Sequence, residues 1–248
     1  MATLKTDKVL SAKVRREKEE LLAATPEIDT ERVKILCDVY RNHALEPNIV
    51  RRAKVFSQLC SQKTIFIDGN PIVGTLTQYK YGAQLFPEEG CAWMERTDEF
   101  YLERGRARVT PEVREWAKNG IELWRNSNLF RLTCDIIGES LKVDTRVLAK
   151  CGVWSEITPQ GARHMIYPDY SKVINQGLKG ILAEVDDAWA KLDAGELDAL
   201  NKFYFYQAAK LVLSGMMVLA QRYASLAREM AGEERNIERK QELEEIAR

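Results

Sequence analysis

With 248 residues, 45% hydrophobic and 30% charged, the chain is long enough for one large domain or two small ones and can bury a substantial core. Its 37 basic and 37 acidic side chains cancel, which removes any bulk field for nucleic acid or an anionic membrane. The five cysteines (Cys37, Cys60, Cys91, Cys134 and Cys151) are odd in number and lack CxxC spacing, which argues against both a disulfide framework and a zinc site and fits a reducing compartment.

The N-terminus has neither an uninterrupted apolar core nor a cleavage-type site, so no secretory signal is read and a cytoplasmic protein is expected. Residues 7–24 form a charged, weakly amphipathic helix on this reading, with Val9, Leu10, Val14, Leu21 and Leu22 as sparse apolar points, suited to a docking arm. Asp29-Thr30-Glu31-Arg32 caps a second helix running to about Asn42, and Pro47 precedes a third that carries Ile49, Val50, Ala53, Val55, Phe56 and Leu59. Lys63 to Ile67 and Ile72 to Thr77 are β-branched runs separated by Asp68-Gly69-Asn70-Pro71, the pattern of a hairpin.

Helical pattern returns from Pro87 to about Leu102, again from a Thr110-Pro111-Glu112 start to Trp124, and from Leu129 to Ile137. Cys151 to Tyr167 has no clean period and contains Gly152, Thr158-Pro159 and Gly161, so it reads as an ordered loop. Asp169 then caps a helix to about Leu192, whose apolar ladder is Val173, Ile174, Leu178, Ile181, Leu182 and Val185. Asp193-Ala194-Gly195 ends it, a strongly apolar helix follows from Leu197 to Met230, and a charged helix closes the chain from Asn236. Phe203 to Ala220 is about long enough to span a bilayer, but Lys210, Gln207 and Ser214 interrupt it, so a core helix is expected and no membrane partner. With no repeat or low-complexity linker, the chain reads as one α-rich unit.

Candidate chemistry gathers in the loop before the Asp169 helix. His164, one of two histidines, could serve as an acid or base because a free imidazole titrates near neutrality, although from the residue alone a hydrogen-bonded loop histidine is the favoured reading. Arg163 offers a fork for a carboxylate, against the alternative of an ordinary solvated arginine at a helix entry. Cys151 has no neighbouring histidine to generate a thiolate, no glycine-rich phosphate loop is present, and the acidic pairs sit on helix faces where solvation accounts for them. No metal site is built from these residues, and the Phe203 to Tyr206 aromatic block fits core packing better than a ligand pocket.

Five segments taken in order resemble the N-terminal part of the glycyl radical enzymes, the pyruvate formate-lyase-like family. They are Asp29 to Arg32 with Pro47 to Lys54, Ile65 to Gly74, Phe86 to Glu88, His164 to Ile181, and Arg222 to Met230 with Glu242 to Ala247. The resemblance implies residues 1–248 as a partial pyruvate formate-lyase-like domain with residues 1–25 as a helical arm. The fold it implies is mainly α with a few strands, the N-terminal part of a ten-stranded α/β barrel around two finger loops. One loop of that family carries a cysteine and the other the glycine that stores a radical, installed by an activase using S-adenosylmethionine and an iron-sulfur cluster.

Neither the Gly-Cys-Val-Glu-like motif nor the Arg-Val-x-Gly-Tyr-like motif occurs before Arg248, and Cys151-Gly-Val-Trp does not match the first. The expectation is therefore a chain that is inactive alone, with no catalytic residue and no directly bound cofactor. Its expected partners are a C-terminal half of a split enzyme or further copies of itself, with a radical activase acting on the complete enzyme. By the resemblance, His164, Arg163, Trp154 and Glu156 contact a substrate's polar group. Ile72 to Thr77 and the Trp-rich middle look more like the arylacetate decarboxylase branch than the diol dehydratase branch. The rival reading is a non-catalytic helical binding or scaffold protein that kept this fold, and a self-sufficient cysteine or histidine enzyme is the third.

Overall fold

The computed structural model describes residues 11–70, 72–91, 94, 107–151 and 168–248, without the side chains of residues 12, 13, 146, 149 and 150. In chain order the elements are α1 (Ala12–Ala23), β1 (Glu27–Asp29), α2 (Glu31–Asn42), α3 (Asn48–Gln62), β2 (Gly82–Gln84), α4 (Pro111–Trp124), α5 (Leu129–Leu141) and α6 (Thr145–Lys150). They are followed by α7 (Tyr170–Ala190), α8 (Ala199–Glu233) and α9 (Ile237–Ile246).

Helix starts follow local capping chemistry. The Thr110 hydroxyl accepts the Val113 N–H at 3.2 Å with Pro111 at the first helical position, and Asn128 accepts the Arg131 N–H at 2.8 Å. Asp169 accepts the Lys172 N–H at 3.0 Å and Asn236 the Arg239 N–H at 3.1 Å. Each bond satisfies one of the four amides that a helix start leaves without an internal partner.

Two hydrophobic clusters result. In the first, α2 and α4 bring Val33, Leu36, Val39, Val113 and Trp124 together with Leu85, and Tyr40 lies tilted on Trp124 at 4.6 Å. Gly120 lets α4 approach closely there, because a Cβ at that position would sit 3.0 Å from the Pro87 ring. The second cluster joins Tyr223, Ala227 and Ala231 of α8 to Leu243 of α9, Ala247 and Ile67. Between the clusters α8 lies along α3, and a Cβ at Gly215 would stand 3.0 Å from the Ser57 Cα. Buried positions Ala208, Gly215, Tyr223, Ala227 and Ala231 recur at intervals of four to eight, one narrow stripe along the helix made of small residues apart from Tyr223.

Among the described residues the hairpin expected at 63–77 does not form. Some of its backbone groups are taken by side chains instead: Glu31 accepts the Thr64 N–H at 2.9 Å, the Tyr223 hydroxyl accepts the Thr75 N–H at 3.1 Å, and Arg222 donates to the Lys63 carbonyl at 2.6 Å. With those groups occupied no ladder forms between the two runs. The strands among the described residues are β1 and β2, paired in parallel with Ile28 opposite Ala83. Helix does not begin at Pro87 either; residues 87–89 turn, and the Glu88 and Glu89 carbonyls accept the Leu129 and Phe130 N–H groups at the start of α5. The continuation of that expected helix, residues 95–102, lies outside the described residues.

Candidate functional site

The four residues expected to contact substrate, His164, Arg163, Trp154 and Glu156, lie outside the described residues. The structure describes the two supports between which their segment runs. On the upstream side Lys142 ends α5 in the left-handed region with φ 54°, and the buried Thr145 hydroxyl donates to the Cys134 carbonyl at 3.1 Å, which docks α6 on α5. On the downstream side stand Pro168 and the Asp169 cap of α7.

A second polar centre, built around Asp29, was visible in sequence only as part of a capping run. Asp29 is 1% exposed. Its Oδ1 accepts the Glu31 N–H and its Oδ2 the Gln78 N–H, both at 2.7 Å, so one carboxylate starts α2 and pins the chain leading to β2. Nearby the Lys63 ammonium donates to the Thr75 carbonyl, and burial holds its pKa below the usual lysine range. A cavity of about 280 Å³ opens beside this junction, lined by Phe66, Asp68, Thr75, Thr77, Tyr79 and Lys80. Thr30 at the head of α2 makes no side-chain cap to its own helix and donates to Glu112 at 3.2 Å instead.

The described thiols do not form a nucleophilic centre. Cys37, Cys60, Cys91 and Cys134 are buried, and desolvation pushes the Cys37 thiol up to about 11 and raises that of Cys60. Cys151 is exposed. Among the described residues no three His, Cys, Asp or Glu side chains converge as a metal site.

A broad apolar face lies on the C-terminal helices. No residue of α7 is buried, and Tyr170 and Ile174 are 69% and 80% exposed. Only 11% of the most apolar 18-residue window of α8 is fully buried, so the core helix expected at Phe203 to Ala220 is mostly half-buried, with Phe203, Phe205, Met216 and Val218 exposed. Among the described residues α8 is the one helix long and apolar enough to cross a membrane, and it carries Lys210 in its middle, paired with Asp186 and seated 5.1 Å from the Trp189 ring centroid. Trp189 and Phe203 meet edge to face at 5.2 Å, and these contacts hold α7 on α8. Leu129, Leu132 and Ile136 of α5 are exposed as well, as are Phe205, Met216 and Val218 of α8.

Compared with known proteins, residues 6–248 match the family model described as pyruvate formate lyase-like. The chain is 26% identical over 254 residues to the probable dehydratase YbiW of Escherichia coli K12, covering 98% of this chain and 30% of that protein. It is 28% identical over 241 residues to the trans-4-hydroxy-L-proline dehydratase of Clostridioides difficile, covering 95% and 30%. A glycyl radical enzyme from Archaeoglobus fulgidus superposes with a TM-score of 0.76 at 22% identity, over 94% of this chain and 30% of that one. The chain belongs to the pyruvate formate lyase-like family of glycyl radical enzymes. It spans about 30% of the length of the relatives it matches, and the described part is mostly helical with few strands.

Proposed function

We propose that this chain is the N-terminal part of a glycyl radical lyase, forming one wall of the substrate pocket and part of the ten-stranded barrel. The observation that carries this reading is the family match across residues 6–248 in a chain spanning only about 30% of its relatives. The uncovered faces of α5, α7 and α8 support it, because apolar surface of that extent normally meets a partner or a further part of the same fold. On this reading the covering element is the remainder of the barrel, carried by C-terminal sequence, with packing of further copies of the chain on these faces as the alternative cover, in the cytoplasm.

The radical chemistry belongs to that remainder. A glycyl radical installed by an S-adenosylmethionine iron-sulfur activase supplies hydrogen-atom abstraction there. The part of this chain is positioning: Arg163 as a fork for an anionic or hydroxyl group, His164 as a second hydrogen-bonding group, and Trp154 and Glu156 beside them. Residues 1–25 serve as an arm that holds the domain edge, in line with the Glu20 to Lys80 ion pair at 2.5 Å. The two relatives named above are dehydratases, which favours cleavage of a carbon–oxygen bond over the decarboxylation read from Ile72 to Thr77.

The test is an assembled enzyme, this chain co-expressed with a polypeptide that carries the cysteine and glycine motifs. Arg163→Ala and His164→Ala should raise KM about tenfold or more, the worth of one charge-assisted hydrogen bond, while the glycyl radical signal in electron paramagnetic resonance stays at wild-type yield. Unchanged KM in both variants removes these residues from the pocket. A binding or scaffold protein, the rival reading, would bind its partner yet show no radical signal and no turnover after activation.

A further inference from the structure

The sequence Gln176-Gly177-Leu178-Lys179-Gly180 interrupts α7. Gly177 takes φ 68° and ψ 169°, a conformation reserved for glycine, and nothing lies within 4 Å of where its Cβ would be. The backbone conformation itself, and not crowding, therefore requires glycine there. A second observation places the turn independently. A Cβ at Gly180 would stand 3.2 Å from the Gln176 Cβ, whereas side chains four apart in a straight helix keep their Cβ atoms about 5–6 Å apart. The chain therefore folds sharply between 176 and 180.

A third contact shows how far it folds. Lys172 Nζ meets Glu184 Oε2 at 2.5 Å across twelve residues. A straight helix would separate those positions by about 18 Å along its axis, and two extended side chains with a hydrogen bond between them reach roughly 14 Å. The ion pair is available only in the folded-back form, and both partners are substantially exposed to solvent. From Pro168 to Gln176 every residue is exposed except Lys172, so the first two turns of α7 are held by that pair and by little packing.

We infer that Gly177 to Gly180 form a hinge at which the first two turns of α7 swing between the folded-back form and a straight continuation of the helix. An exposed ion pair contributes at most about twofold to fivefold to the folded-back population, and straightening restores backbone hydrogen bonds lost at the break. The swing carries Tyr170, Val173 and Ile174, all exposed, through about 10 Å and changes which side of the molecule presents that apolar triad. The hinge rests on α7 alone and stands whether or not the chain is part of a radical enzyme.

Spin labels at Ser171→Cys and Asp187→Cys, in a Cys151→Ser background of the full chain, read the hinge by pulsed dipolar distance measurement. The other four cysteines are buried and escape labelling. A straight helix sets the two backbone positions about 24 Å apart. The labelled chain should show a main population several ångströms shorter and a minor one near the straight value. Gly177→Ala with Gly180→Ala should reverse the ratio by about tenfold or more, since one substitution strains the bend and the other crowds it while both favour helix. Lys172→Glu should raise the long population a few-fold. Circular dichroism verifies that the variants remain folded, and exposed α7 positions give no reason for collapse. A distance already at the straight value, a double-alanine variant that stays short, or a Lys172→Glu variant with no change each overturns the hinge.

Discussion

The pair α7 and α8 is richer in apolar residues than the block of α2, α3 and α4, yet it buries fewer of them. Helix α2 buries Val33, Ile35, Leu36, Cys37, Val39 and Tyr40 within twelve residues, while α7 buries none of twenty-one. In the first block the apolar face of each helix meets another helix or the 82–94 connection within this chain. In the second, α8 presents one narrow buried stripe to α3 and α9, takes α7 on another side and leaves Phe205, Met216 and Val218 exposed. The same hydrophobic pattern therefore stands for core in one region and for surface awaiting a neighbour in the other.

The largest expected effect breaks the first block. Leu85→Ala empties a fully buried site and should lower stability by about 2–5 kcal/mol in urea denaturation. Next is Asp29→Ala, which strands the Glu31 and Gln78 amides and should cost about 1–3 kcal/mol for each group left without a partner, visible in the same titration and as faster amide exchange at 78. Gly215→Ala drives a methyl toward the Ser57 backbone and should cost about 1–3 kcal/mol, which would show that the small-residue stripe of α8 is packed. At the other extreme, Ile174→Ser on α7 should change stability by no more than about 0.5 kcal/mol in the isolated chain.

Alkaline titration distinguishes the regions chemically. The Cys37 thiol is held protonated up to about 11, above its ordinary 9.0, because burial penalises the thiolate. The folded state binds that proton more tightly than the unfolded state does. The contribution is fully present below about 9 and is lost as pH rises toward 11, so stability should fall across that window, less steeply in Cys37→Ala. Thiol labelling of the native chain at pH 8 should give one fast site, Cys151, and Cys151→Ser should abolish it.

Much of the helical frame was legible because caps and period agree. Thr110-Pro111, Asn128, Asp169 and Asn236 each start a helix where their chemistry requires, and the family resemblance rested on residues spread through that frame. The strands were not legible. Glu27 to Asp29 and Gly82 to Gln84 have little β-branched content and exist through a parallel pairing of distant segments, whereas the β-branched runs at 65 and 73 lose their backbone groups to Glu31, Tyr223 and Arg222. Apolar period cannot say what lies opposite a helix face, which is why Phe203 to Ala220 read as core. The break in α7 was hidden for a related reason: Gly177 and Gly180 sit within an intact apolar ladder, and only the backbone shows the fold. The candidate pocket residues His164, Arg163, Trp154 and Glu156 rest on the resemblance alone.

The most direct test of the central claim is light scattering coupled to size-exclusion chromatography, on the chain alone and co-expressed with a polypeptide carrying the cysteine and glycine motifs. The account predicts self-association of the isolated chain and a defined complex with the partner, in which amide exchange slows along α7 and α8. A monodisperse monomer that ignores the partner, with exchange in α7 and α8 unchanged, would contradict it.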